Sequence, residues 1–219
     1  MVRRARGRNR AVATTFRPVA ALLAAALLPA PPPAIPAATP GPHAGLRRPY
    51  IDQFTGRPAP LFTLRDLKGG TVRLASYRGR VVILNFWYST CIPCRKETPD
   101  LISLHQAYKD QGLAILGINL DAVMIPQAGG RELEKFLKAF PIPYPILIAD
   151  QAVVDQYGGL PVQPISFLVD RGGLVERVFW GAFDGSVYER AVVPLLARPS
   201  ERPAAPGSVS APPRPRPAP

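Results

Sequence analysis

Only two of the 219 residues are cysteines, and they stand together in Cys91-Ile92-Pro93-Cys94. A thiolate attacks sulfur, and a second thiol placed beside it can break the mixed disulfide that the first one forms. The pair is therefore a candidate two-electron switch, with Cys91 attacking and a shielded Cys94 resolving. A purely structural bridge explains the spacing poorly, because so short a loop restricts the unfolded chain little. Zinc is disfavoured as well, since a structural site wants four N or S ligands and the sequence adds only His43 and His105. No metal and no cofactor is expected beyond the redox-active dithiol.

The elements around the tetrad give it a setting. The run Val81-Val82-Ile83-Leu84-Asn85-Phe86-Trp87 is apolar on both faces, which predicts a central strand covered by helices on both sides. Leu101, Leu104 and Tyr108 then recur at helical spacing as far as Gly112, with Ser89 or Thr90 to cap the start and Pro99 to kink the interior. The dithiol thus sits where a buried strand hands over to a helix. The free amides and positive end of that helix favour an anion, here the Cys91 thiolate.

Two short strands joined by Gly69-Gly70 precede the central strand, over residues 61–67 and 71–74. After it come a buried strand over 113–120, a helix over 131–140, a short strand over 146–149 and a short helix over 151–157. A strand over 165–169, the turn Asp170-Arg171-Gly172-Gly173, a strand over 174–180 and a last helix capped by Asp184 complete the pattern. This order describes an α/β protein with a mixed central sheet and helices on both faces.

Charge and proline content divide the chain. The net charge is +12, but residues 1–17 hold six Arg and no acid, and residues 198–219 hold four Arg and one Glu. Between them remain 17 basic and 14 acidic residues, too even a balance for a nucleic-acid-tracking face. Residues 1–38 read as a signal peptide: arginines, an apolar run from Val19 to Leu28, then small residues. A membrane anchor is the less favoured alternative, because Pro29 and Pro31-Pro32-Pro33 cut the apolar run at about half of the ~20 residues a spanning helix needs. Residues 39–60 read as a Pro-rich linker, 61–197 as the folded domain and 198–219 as a disordered Pro-rich tail. An exported, extracytoplasmic location follows from the signal.

Asn85-Phe86-Trp87, the tetrad with Arg95-Lys96-Glu97, and then Pro99 resemble the active-site segment of the thioredoxin superfamily. The segment is most similar to the exported TlpA/ResA-like reductases, whose signature reads roughly NFWxxxCxPC[RK]xExP, and the likeness extends over about residues 61–196. The resemblance implies a thioredoxin-like fold and an exported thiol–disulfide oxidoreductase. Such an enzyme reduces disulfides in partner proteins, for example during cytochrome c maturation, and is recharged by a membrane electron donor that the sequence does not name.

It also implies roles for two further residues. Pro164, six residues before Asp170, takes the place of the cis-proline that faces the dithiol and lends its backbone to a substrate strand; Pro161 is the rival. Glu97 takes the place of the acidic residue that exchanges the proton of Cys94, whereas Asn85 stands where cytosolic thioredoxins carry a buried Asp. The plain alternative for Glu97 is a solvated helix residue paired with a nearby Lys or Arg.

Thr90, Gln163, Ile165 and a loop over 157–164 that is too long by one residue depart from the pattern and bear on the substrate surface. A peroxiredoxin-like peroxidase needs Ser or Thr three residues before its reactive Cys, where this chain has Tyr88. A copper-delivery protein of this fold needs a distant His, and none follows His105. With no cation between the cysteines, a neutral Asn85 and a carboxylate at Glu97, a reducing dithiol is expected. Arg95 and Lys96 are the cations able to oppose this if they curl back towards Cys91.

Overall fold

The structure, a computed structural model, describes residues 44–199. Residues 1–38, read as a signal or anchor, and the tail from residue 200 onward lie outside the described residues. Seven strands form one sheet in the order β2-β1-β5-β4-β3-β6-β7: Thr63–Asp66, Thr71–Arg73, Val81–Trp87, Leu113–Asn119, Ile146–Ile148, Ile165–Val169 and Val175–Trp180 for β1 to β7. β3 runs parallel to β4 and antiparallel to β6, and every residue of β3 is buried. The expected central strand and mixed sheet are present.

Strand alternation sorts the two faces. Val82, Leu84 and Phe86 of β3 join Leu116, Ile118, Phe167 and Tyr157 in the core beneath α1 (Ala44–Phe54) and α5 (Gln151–Gln156). Val81 and Ile83 point the other way, into the layer of α2 (Ile92–Tyr108) and α6 (Gly185–Ala197) with Leu101, Leu104, Tyr188 and Val192. Asn85 and Trp87 share that second parity. So does Ser166 of β6, which lies directly across from Asn85.

Several local expectations are corrected. Residues 44–54, assigned to a linker, form α1: Tyr50 and Phe54, four residues apart on one helix face, are 7% and 8% exposed and pack on Phe167 and Tyr157. The chain then runs along β7, with Gly56 N–H donating to Val175 O (2.8 Å) and Ala59 N–H to Gly173 O (3.0 Å). Proline frequency hid this, because Pro49 and Pro58 stand among apolar residues that reach the core. A four-residue helix α3 (Asp121–Met124) follows β4, and α4 runs Gly129–Ala139, two residues earlier than its periodicity suggested. Asp184 stands at the N-cap of α6 but makes no side-chain capping bond; Asp100 of α2 reaches across instead, accepting from Gly185 N–H at 3.0 Å.

Because α1 is core and not linker, Phe54→Ala should remove about 3 kcal/mol of stability in urea unfolding of the chain, the usual cost of a buried aromatic deletion. A change within experimental error would return residues 44–54 to the status of a tether.

Candidate active site

Cys91 is the first turn's own cap. Neither Ser89 nor Thr90 caps α2; Cys91 Sγ accepts from Cys94 N–H at 3.2 Å, which sets the sulfur against the amides at the helix start. Cys91 and Cys94 are joined in a disulfide with Cα atoms 5.2 Å apart. Both are 2% exposed, so the contrast between an open and a shielded sulfur is absent from the oxidised form. The reason is visible in the neighbours: Trp87, Phe136 and Ile146 pack around the pair, and it is Ile92, 68% exposed, that meets solvent.

The loop carrying Cys91 is held from below. Asp121, buried at the start of α3 just beyond β4, accepts from Ser89 N–H (2.7 Å) and from the Ser89 hydroxyl (2.6 Å), while Leu120 N–H donates to Trp87 O (2.8 Å). Charge-assisted bonds of this kind are among the stronger ones in a protein interior. Asn119 steadies the carboxylate's own residue by accepting from Asp121 N–H at 3.2 Å. Arg95, the cation feared as a partner for Cys91, lies over the rings of Phe136 and Phe140 at 5.3 and 5.2 Å.

Glu97 lies three residues beyond Cys94, on the same side of α2, and is 2% exposed. It is not the solvated, Lys-paired residue of the plain alternative. Oε1 accepts from Tyr188 OH (2.7 Å) and Phe183 N–H (3.1 Å), and Oε2 accepts from Asn85 Nδ2 (3.1 Å). Burial pushes the carboxyl up to about 7; the donors from Tyr188, Phe183 and Asn85 oppose this, and the nearby Asp100 carboxylate adds to it. With two donors on Oε1 and one on Oε2, the second oxygen is the better seat for a proton.

The Gln163–Pro164 bond is cis, and Pro161 is not its rival in this respect. Phe86 pairs with Ile165, so one step outward Pro164 stands level with Trp87, at the end of the sheet that bears the tetrad. Pro164 O accepts from Gly181 N–H (3.0 Å), which ties its one backbone polar group into the fold. The loop before it turns through Gly158, Gly159 and Leu160, all with positive φ (71°, 78° and 49°). Gln163 Nε2 donates to Leu160 O (2.6 Å) across that turn. Beneath the loop, Tyr50 OH of α1 donates to Tyr157 O. His105 is half-buried on α2 with its ring edge-on to Tyr144, and His43 lies outside the described residues.

A family model described as the AhpC/TSA family matches residues 55–178. The chain belongs to that family. Among its relatives, thiol–disulfide oxidoreductase ResA of Geobacillus kaustophilus is 38% identical over 136 residues, 62% of this chain and 74% of that protein. ResA of Bacillus subtilis is 32% identical over 133 residues, 60% of this chain and 70% of its own. A solved structure from Chlorobium tepidum, assigned as the thiol:disulfide interchange protein DsbE, superposes with a TM-score of 0.58 at 31% identity, covering 65% of this chain and 97% of that one. The fold is thioredoxin-like and the chain is a ResA-like thiol–disulfide oxidoreductase.

Asp121, Ser166 and Tyr188 escaped the sequence reading. Ser166 lay inside the Pro164–Asp170 motif, where the β-parity of a polar residue between Ile165 and Phe167 was the available signal. Tyr188 carried none.

Because Glu97 binds its proton more tightly folded than unfolded, the stability it contributes is full below about 4.5 and is lost as pH rises through about 7. The loss should reach about 3 kcal/mol between those limits. Glu97→Gln should flatten this slope in urea titrations of the oxidised protein, and an unchanged slope would mean that another group carries it.

Proposed function

We propose that this oxidoreductase works in the reducing direction, outside the cytoplasm, with Cys91 as nucleophile and Cys94 as resolving thiol. The observation that carries the reading is a dithiol at the start of α2 with a buried, proton-binding carboxylate three residues beyond it. The Cys91 thiolate attacks one sulfur of a substrate disulfide, forming a mixed disulfide and releasing the first substrate thiolate. Cys94 then gives its proton to Glu97 and attacks Cys91 Sγ, which releases the second substrate thiolate and closes the Cys91–Cys94 disulfide. Two electrons have passed to the substrate. Return of the dithiol requires two electrons from a membrane donor.

The cis-proline loop is the other half of the site. With Pro164 O engaged by Gly181, the backbone groups left to meet a substrate strand are those of Gln163, for which no hydrogen bond occurs among the described residues. Ile92 and Pro93 supply an exposed apolar rim without a cation, and Arg95 is occupied by aromatic rings, so beyond the helix-start amides neither the residues between the cysteines nor Arg95 stabilises the thiolate in the way an oxidant requires. The Ser89 hydroxyl is committed to Asp121 and Tyr88 offers Cys91 only its carbonyl, which argues against a peroxide site at Cys91. Apocytochrome c disulfides, as in cytochrome c maturation, are substrates compatible with this chemistry. Export rests on the basic and apolar order of residues 1–38; N-terminal sequencing from the native compartment should find the mature end near residues 38–44, and an intact Met1 in membranes would support an anchor instead.

Cys94→Ser should accumulate mixed disulfides that mass spectrometry identifies, while Cys91→Ser should form none; equal trapping by both variants would overturn the assignment of roles. In the same preparation, equilibration of the wild type with glutathione should give a midpoint nearer the thioredoxin value of about −270 mV than the strongly oxidising value of about −120 mV.

A further inference from the structure

Glu97 is one corner of a closed ring of hydrogen bonds. Asn85 Nδ2 donates to Glu97 Oε2 (3.1 Å) and to Ser166 Oγ (2.9 Å); Ser166 Oγ and Tyr188 OH are 3.0 Å apart; Tyr188 OH donates to Glu97 Oε1 (2.7 Å). The four corners come from β3, α2, β6 and α6, and all four are at most 5% exposed. No bulk water reaches them to repair a missing bond, so the ring must accommodate both the charged and the neutral carboxyl by itself.

A count of hydrogens shows how it does so. Tyr188 has a single hydroxyl proton. With Glu97 ionised, that proton points at Oε1, and Ser166 donates its own to the Tyr188 oxygen. With a proton on Oε2 the order is unchanged. With a proton on Oε1 the carboxyl donates to the Tyr188 oxygen, and Tyr188 turns its proton to Ser166. A phenol that both donates and accepts serves each state, and burial pushes Tyr188 well above its usual range, which keeps it neutral throughout. Phenylalanine serves none of them.

We propose that Tyr188, backed by Ser166, is a positioning residue that sets the protonation of Glu97 and, through it, the pH range in which Cys94 can be activated. The inference rests on the reading of Glu97 as acceptor of the Cys94 proton. Tyr188 acts through Glu97, not on the sulfurs.

The remaining groups about Glu97 bear on the same equilibrium. The Phe183 N–H from the segment before α6 stabilises the anion, as Asn85 does from β3. Asp100 on α2 carries an acidic group within electrostatic reach and favours the protonated form of Glu97, whereas Tyr144 ahead of β5 is pushed up by burial and by Glu97 itself and stays neutral. Among the described residues no Lys, Arg or His forms an ion pair with Glu97, so the hydroxyl of Tyr188 is the closest donor it has.

The test follows the Glu97 carboxyl directly, by carbon-13 NMR of glutamate-labelled oxidised protein, with Glu97→Gln to assign the resonance. In parallel, the rate at which reduced protein resolves a mixed disulfide with glutathione is measured from pH 5 to pH 9. Tyr188→Phe should move the Glu97 midpoint upward by about one pH unit, the scale expected for losing a hydrogen bond to a charged group. Ser166→Ala should move it the same way by less. The rate midpoint should follow, leaving Tyr188→Phe about fivefold slower at pH 7 and close to wild type at pH 9, whereas damage to packing alone would slow the reaction at every pH.

A Glu97 midpoint unmoved in both variants overturns the proposal and leaves the acceptor role of Glu97 standing. A midpoint that moves while the rate profile does not would uphold the control of Glu97 by the ring and overturn the acceptor role. If Tyr188→Phe does not fold, Ser166→Ala alone decides: a midpoint equal to wild type refutes the ring.

Discussion

A carboxylate taken out of water has to be answered by donors fixed in advance, and the arrangement around Glu97 follows from that requirement. Its three donors come from β3, from α6 and from the main chain just before α6. Each donor ties a different element to α2, the helix that begins at the dithiol. Asp100, one turn further along α2, adds a fourth tie through Gly185 N–H. The same bonds that make burial of a charge tolerable therefore clamp α6 over α2 and hold both on the sheet. The compensation is incomplete, since the carboxyl still titrates near neutrality. A fully compensated carboxylate would stay ionised throughout the neutral range.

The opposite side of the site is built by different means. Leu120 and Asp121, where β4 gives way to α3, fix the residues between β3 and Cys91, and the cation–π and stacking contacts of Arg95, Phe136 and Trp87 pack α4 beside the pair. Gly129 at the start of α4 is needed for this approach, because a Cβ there would come within 2.6 Å of the Asp121 Cβ. The cis-proline loop rests on α1, where Tyr50 OH meets Tyr157 O and the ring edge lies against Gly158. So a helix remote from the cysteines in sequence supports the loop that leads into the cis-proline.

Much of this was legible from residue types. The parity of β3, the tetrad at its end, the helix with Leu101 and Leu104, and the glycine turns all reflect local rules of period and turn chemistry, and the structure has them where the sequence reading put them. Capping was less legible, since Ser89 is a better cap than Cys91 by propensity but was claimed by Asp121 thirty-two residues away. Proline content was misleading over residues 44–54, because aromatic burial against Phe167 and Tyr157 outweighed a composition that elsewhere signals a linker.

By itself, the sequence determined the dithiol, its place between strand and helix, the sheet class and the neutrality of the central region. These depend on neighbours along the chain, whose interactions have a fixed period. Only the tertiary structure decided that Glu97 is buried, that Asn85 and Ser166 face it together, and that Tyr188 completes the ring. Those contacts join residues 12, 81 and 91 positions apart. No local periodicity encodes such a meeting; it arises when two helices and two strands close over one carboxylate and leave it no water to bond.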